Sequence, residues 1–130
     1  MSGVSGPGRV PNRLVVTVAS DPGPHGTTGC VCHLWAEDSL GRVLLLEDRG
    51  WGTSAAWSEV TEDSVVADSL LSTGPDEPWG GMTQDDATAF HYGELAQIAA
   101  HRGLVVTAEG LQALPIEVEL SEELRARLRR

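Results

Sequence analysis

Residues 13–19 (RLVVTVA) are dominated by β-branched side chains, and two more extended-type runs follow them with only short connections. Val, Ile and Thr crowd a helix but fit a pleated surface, so residues 13–19 read as a first strand. Asp21-Pro22-Gly23-Pro24 breaks the chain within the loop 20–29. Residues 30–36 alternate, with Cys30, Cys32 and Leu34 on one face and Val31, His33 and Trp35 on the other. A turn at 37–41 returns the chain as a third strand over 42–48. Three consecutive strands with short turns predict an antiparallel meander, and most other features of the chain must be fitted around it.

Downstream, Gly50-Trp51-Gly52 is expected to end the sheet segment, and residues 57–60 to add a short extended piece. Thr61-Glu62-Asp63 and Gly74-Pro75 bracket a helix over 62–72, and a Gly/Pro-rich loop carrying Trp79 follows over 73–82. A long helix opens at Thr83-Gln84-Asp85-Asp86, with a capping hydroxyl and acids in its first turn. It closes at His101-Arg102-Gly103. Short strands are expected at 104–107 and 116–120, a helical turn at 108–114, and a final helix after Ser121. The fold class is therefore α+β: a small antiparallel sheet, begun by the N-terminal three-stranded meander, with two or three helices packed on one face. Residues 1–12, rich in Gly, Pro and Ser, are expected to be a flexible tail on a single domain spanning 13–130.

Charge narrows the function classes. Residues 36–88 hold twelve carboxylates against Arg42 and Arg49, so this segment alone carries −10, the formal charge of the whole chain. Such a field repels nucleic-acid phosphates and anionic lipid and attracts basic proteins. No stretch approaches the roughly 20 apolar residues of a membrane span, so no membrane partner is expected. All nine cations are arginine, a composition of GC-rich bacterial coding. With no secretory signal read in residues 1–12, a cytoplasmic location is expected.

Four constellations carry possible chemistry. Cys30, Cys32 and His33, with His25 upstream, have metal-ligating types. One intervening residue on a strand sends His33 to the opposite face, so two small buried thiols fit better than a zinc site, and no metal or cofactor is expected. His91, Glu94, Ile98 and His101 share one helix face about 80° wide. Its His/Glu pair suits acid–base work or, more plainly, a hydrogen-bonded structural histidine beside Ala87 and Phe90. Thr27-Thr28-Gly29-Cys30 could present a nucleophilic thiol only beside a paired histidine, His25 or His33. Lastly, Trp51, Trp57 and Trp79 lie at expected loops or element ends amid carboxylates, Asp76 and Glu77 among them. Large aromatics rimmed by acids are what a surface for a cationic protein contains, and equally what caps the open end of a small core.

The expected function is thus a non-enzymatic acidic protein-binding domain docking a basic protein through Trp51, Trp57, Asp76, Glu77 and Trp79. Inhibitors and immunity proteins share that general physics. The alternatives are a small enzyme using Cys30 and His33 or His91 and Glu94, and an accessory subunit of a larger assembly.

Overall fold

The computed structural model describes residues 9–21 and 28–129. The meander is there: β1 (Arg13–Ser20), β2 (Thr28–Asp38) and β3 (Gly41–Thr53) pair antiparallel in sequence. Helix α1 (Glu62–Thr73), helix α2 (Gln84–His101) and the short α3 (Ala108–Ala113) then lead to β4 (Ile116–Leu120) and α4 (Glu122–Leu128). The sheet order is β3-β2-β1-β4. Strand β4 lies parallel to β1, from Leu14 opposite Ile116 to Val18 opposite Leu120, so the sheet is mixed and not purely antiparallel. A parallel partner needs a crossover, and the α1–α3 segment supplies one.

Alternation along the strands divides the sheet into two faces. Leu14, Val16, Val18, Cys30, Cys32, Leu34 and Ala36 enter the core with Val65 of α1, Leu95 and Ala99 of α2, Leu111 of α3 and Leu124 of α4. The helices therefore pack on one face, as the pattern predicts. Hydroxyl N-caps start all four: Thr61, Thr83, Thr107 and Ser121 accept from Ser64, Asp86, Gly110 and Leu124 backbone N–H groups. Each such cap stabilises by about 1 kcal/mol.

The opposite face carries half-buried polar groups. Trp35 Nε1 donates to Thr17 Oγ1 at 2.9 Å. Arg13 and Arg42 both bind Glu37, and Arg42 reaches Glu119 with a two-pronged contact at 2.9 and 2.6 Å. These guanidinium groups hold the Glu37 carboxyl at about 2, Arg13 contributing most.

Three local expectations are corrected. Strand β3 does not stop at Gly50-Trp51-Gly52 but runs through Thr53. A Cβ on Gly50 would lie 2.6 Å from the Cys30 carbonyl oxygen, so that glycine is there because the neighbouring backbone leaves no room. Trp57–Glu59 is a 3-10 turn, not an extended piece. The strand expected at 104–107 reduces to one parallel bridge between Leu104 and Arg9. That bridge also bears on the expected tail. Arg9 pairs with Asp38 at 2.6 and 2.8 Å, its carbonyl accepts from Val105 N–H, and Asn12 N–H donates to the Glu37 carbonyl. Residues 9–12 are thus attached to the domain, and residues 1–8 lie outside the described residues. Among the described residues no helix is long and apolar enough to cross a membrane.

Candidate functional site

The segment between α1 and α2 builds a concave site against the edge strand β3. Gly74 N–H closes α1 onto the Leu71 carbonyl, and Pro75 then bars helix continuation. Asp76 comes next, its carboxylate 3.5 Å from an Arg49 nitrogen on β3. Trp79-Gly80-Gly81-Met82 is a tight turn in which Met82 N–H donates to the Trp79 carbonyl at 3.0 Å. Gly80 and Gly81 have φ of +57° and +81°, the left-handed pair of a type I′ turn, which residues with a Cβ enter only at a cost. The turn fixes the direction in which Trp79 leaves the chain and delivers Thr83 to cap α2.

Helix α2 supplies the opposite wall. Ala87, Phe90, His91, Glu94, Leu95 and Ile98 recur at three- and four-residue intervals and so share a face. Together with Leu46, Arg49, Asp76, Trp79 and Met82 they line a cavity of about 70 Å³. Ala87 and Leu95 are buried, whereas Trp79 is 64% exposed and Phe90 54% exposed. Neither exposed ring has an aromatic or cation partner among the described residues.

The electrostatics are simple. His91 is half-buried, and burial lowers its pKa, with Arg49 adding to the depression against Asp76, the Thr73 carbonyl to which it donates, and Glu94. It is therefore neutral at pH 7. Its ring meets Tyr92 edge-on at 5.0 Å between centroids. Arg49 and Asp76 offset each other, leaving Glu94, which has no ion pair among the described residues. The lining thus carries one uncompensated negative charge. Among the described residues it holds no Ser, Thr, Cys or Lys, so it offers none of the usual hydroxyl, thiol or amine nucleophiles.

The other expected residues fall elsewhere. Trp51 belongs to strand β3 and packs against the core, its Nε1 donating to the fully buried Ser69 Oγ at 3.0 Å. Trp57 also packs against the core, with Arg127 over its ring at 5.5 Å. Both pack against the sheet–helix core, and neither lines the cavity with Trp79. Asp76, Glu77 and Trp79 stay together and exposed. Cys30 and Cys32 are buried free thiols, and desolvation, with Cys32 secondary, pushes the Cys30 pKa up to about 12, far from a reactive thiolate. His33 faces the other way, with its ring 6.2 Å from that of Trp35. Thr28 is buried and donates to the Ala55 carbonyl, while His25 and Thr27 lie outside the described residues. His101 is exposed at the end of α2. Among the described residues no three His, Cys, Asp or Glu groups gather as metal ligands would.

Two sets of residues that look separate in sequence, His91/Glu94 and Asp76/Trp79, therefore meet at one cavity. Sequence reasoning placed Phe90 only as a neighbour of His91 on its helix face, and missed Arg49 and Met82. The Trp-Gly-Gly-Met run was the available signal, since adjacent glycines beside an aromatic mark a fixed turn. No family model, curated protein or solved structure matches this chain, so the reading of the site rests on its own chemistry.

Proposed function

We propose that this chain is a non-enzymatic, cytoplasmic protein-binding domain that docks a basic protein and inhibits or neutralises it, as immunity-type proteins do. One observation carries the reading. Two exposed aromatic rings, Trp79 and Phe90, line the same cavity as Glu94, a carboxylate with no ion pair among the described residues. Glu77 of the loop and Asp85, Asp86 and Glu94 of α2 form no ion pair among the described residues. Aromatic anchors supply contact energy in a protein interface, and an unneutralised acidic rim supplies attraction toward cations. The same charge opposes a second copy of this chain on that face, and it opposes nucleic acid. The enzyme alternative gains no support from a buried thiol held near pKa 12, and at the cavity it would have to work through His91 and the carboxylates, without a hydroxyl, thiol or amine nucleophile. Trp51 and Trp57, expected as contacts of the docking face, pack against this domain's own core and leave that role to Trp79, and an accessory-subunit interface built on them loses the same support.

The test uses the purified chain as bait in host lysate at low salt, with the retained protein identified by mass spectrometry and its binding kinetics then measured. The expected result is a basic partner whose association slows as salt rises, since the Debye length is about 8 Å at physiological strength. Reversing Asp76 and Glu77 to arginine should slow association and flatten its salt dependence. Trp79→Ala should speed dissociation, at a cost of about 2 kcal/mol. A partner held equally by all three proteins, or no basic partner at low salt, would overturn the proposal.

A further inference from the structure

We infer that the Trp79–Phe90 cavity is a slot for a single arginine side chain of the basic partner, with Glu94 as the carboxylate that receives its guanidinium. The inference rests on the docking reading and names the group that the docking face recognises.

Size decides first. An apolar cavity of about 150 Å³ accommodates benzene. The present one, at about 70 Å³, fits the head of one side chain, and not an aromatic ring or a folded loop. Charge decides second. The lining contains Asp76, Glu94 and Arg49, with His91 neutral, so one monovalent cation brings it to balance. Arg49 is committed to Asp76 at 3.5 Å, which leaves Glu94 as the acceptor without a counter-ion. Shape decides third. Trp79 and Phe90 present open rings, and the Trp79 indole N–H has no hydrogen-bond partner among the described residues. A planar, weakly hydrated guanidinium stacks on such rings while its fork meets a carboxylate. An ammonium is a compact, strongly hydrated point charge and does the first of these less well. The guanidinium of Arg49 itself marks the limit: a second cation enters only on the Glu94 side of the Arg49–Asp76 pair.

The probe is a short peptide, blocked at both ends, with one central arginine among glycine and serine. Lysine and citrulline versions serve as comparisons, and all three are titrated into the full chain by nuclear magnetic resonance. The arginine peptide should move the Trp79 indole N–H signal and the backbone signals of α2 around Phe90 and Glu94. Lysine should bind about threefold more weakly, having lost the stacking. Citrulline, which has the same shape without charge, should bind at least about tenfold more weakly. Glu94→Gln, at an exposed helical position that tolerates the change, should weaken the arginine peptide about tenfold and leave unfolding unaltered. Equal binding of arginine and citrulline, or indifference to Glu94→Gln, would overturn the slot. A basic partner held through Trp79 but indifferent to Glu94→Gln would overturn the slot while sparing the docking face. Arginine-peptide binding with no basic protein retained at low salt would instead overturn the docking reading alone.

Discussion

Replacing Trp79 and Trp51 separately by alanine tests whether Trp79 is a surface anchor or a lid on the core. Trp79 is 64% exposed, so only about a third of a side chain of about 250 Å² is covered, roughly 90 Å². At about 25 cal/mol per Å² that is about 2 kcal/mol at most. Allowing for a compact denatured chain and the retained β-carbon brings it to about 1 kcal/mol. Trp51 is a different case. It packs against the core and donates to Ser69 Oγ, which is fully buried. Truncating a fully buried tryptophan costs about 3–5 kcal/mol; Trp51 is partly buried, which puts it at about 3 kcal/mol, and the buried Ser69 hydroxyl losing its donor adds about 1 kcal/mol. For a domain of this size each kcal/mol lowers Tm by about 4 °C. Thermal and urea unfolding followed by circular dichroism should therefore show a loss of about 4 °C for Trp79→Ala and about 15 °C for Trp51→Ala. A Trp79→Ala protein as unstable as Trp51→Ala would refute the assignment, because an interior tryptophan cannot also be the exposed contact of a docking face.

Two other predictions concern charge and thiols. Glu37 and Asp38 are both held at about 2, chiefly by hydrogen bonds from Arg13 for Glu37 and from Arg9 for Asp38. A depressed carboxyl stabilises the fold fully above its unfolded value and loses that contribution as pH falls toward the folded one. Tm should therefore drop between about pH 4.5 and pH 2, and Glu37→Gln or Asp38→Asn should flatten that slope; an unchanged slope in both variants would contradict the pairing. Cys30 and Cys32 are buried free thiols, with the Cys30 pKa raised to about 12, so native protein should resist alkylation at pH 8. Mass spectrometry should find both thiols modified only after unfolding, and rapid native labelling of Cys30 would show that the strand is not closed.

The meander was legible because alternation is a local property: the inward set Cys30, Cys32 and Leu34 follows from a period of two. The helix starts were legible for the same reason, since Thr61, Thr83 and Ser121 cap within three residues of themselves. Other features depended on partners distant in sequence. Gly50 reads as a strand terminator, yet it sits inside β3 because Cys30 of β2 crowds it. Strand β3 also carries an extra residue between its pairings with Cys32 and Leu34, and another between those with Leu34 and Trp35. Such bulges bend a strand and shift its register without any signature in composition. The parallel placement of β4 depended on the path of α1, α2 and α3 across the sheet, and the bridge from Arg9 to Leu104 joins residues about ninety positions apart.

Where the cations lie explains why the acidic field survives folding on one side of the molecule. Arg9, Arg13 and Arg42 pair with Asp38, Glu37 and Glu119 at the turn and open face of the sheet. Arg125 and Arg127 belong to α4, and Arg102 follows the last turn of α2, where it complements the helix dipole. Among the described arginines only Arg49 lines the cavity, and it lies 3.5 Å from Asp76. Among the described residues folding thus pairs three of the twelve acids in the middle segment, Glu37, Asp38 and Asp76, with cations contributed by the N-terminal residues, β1 and β3. Glu77 of the 74–83 loop and Asp85 and Asp86 of the first turn of α2 have no ion pair among the described residues. On the proposed docking reading, these unpaired acids would orient a cationic protein toward Trp79 and Phe90 before contact, so that steering and anchoring share one surface.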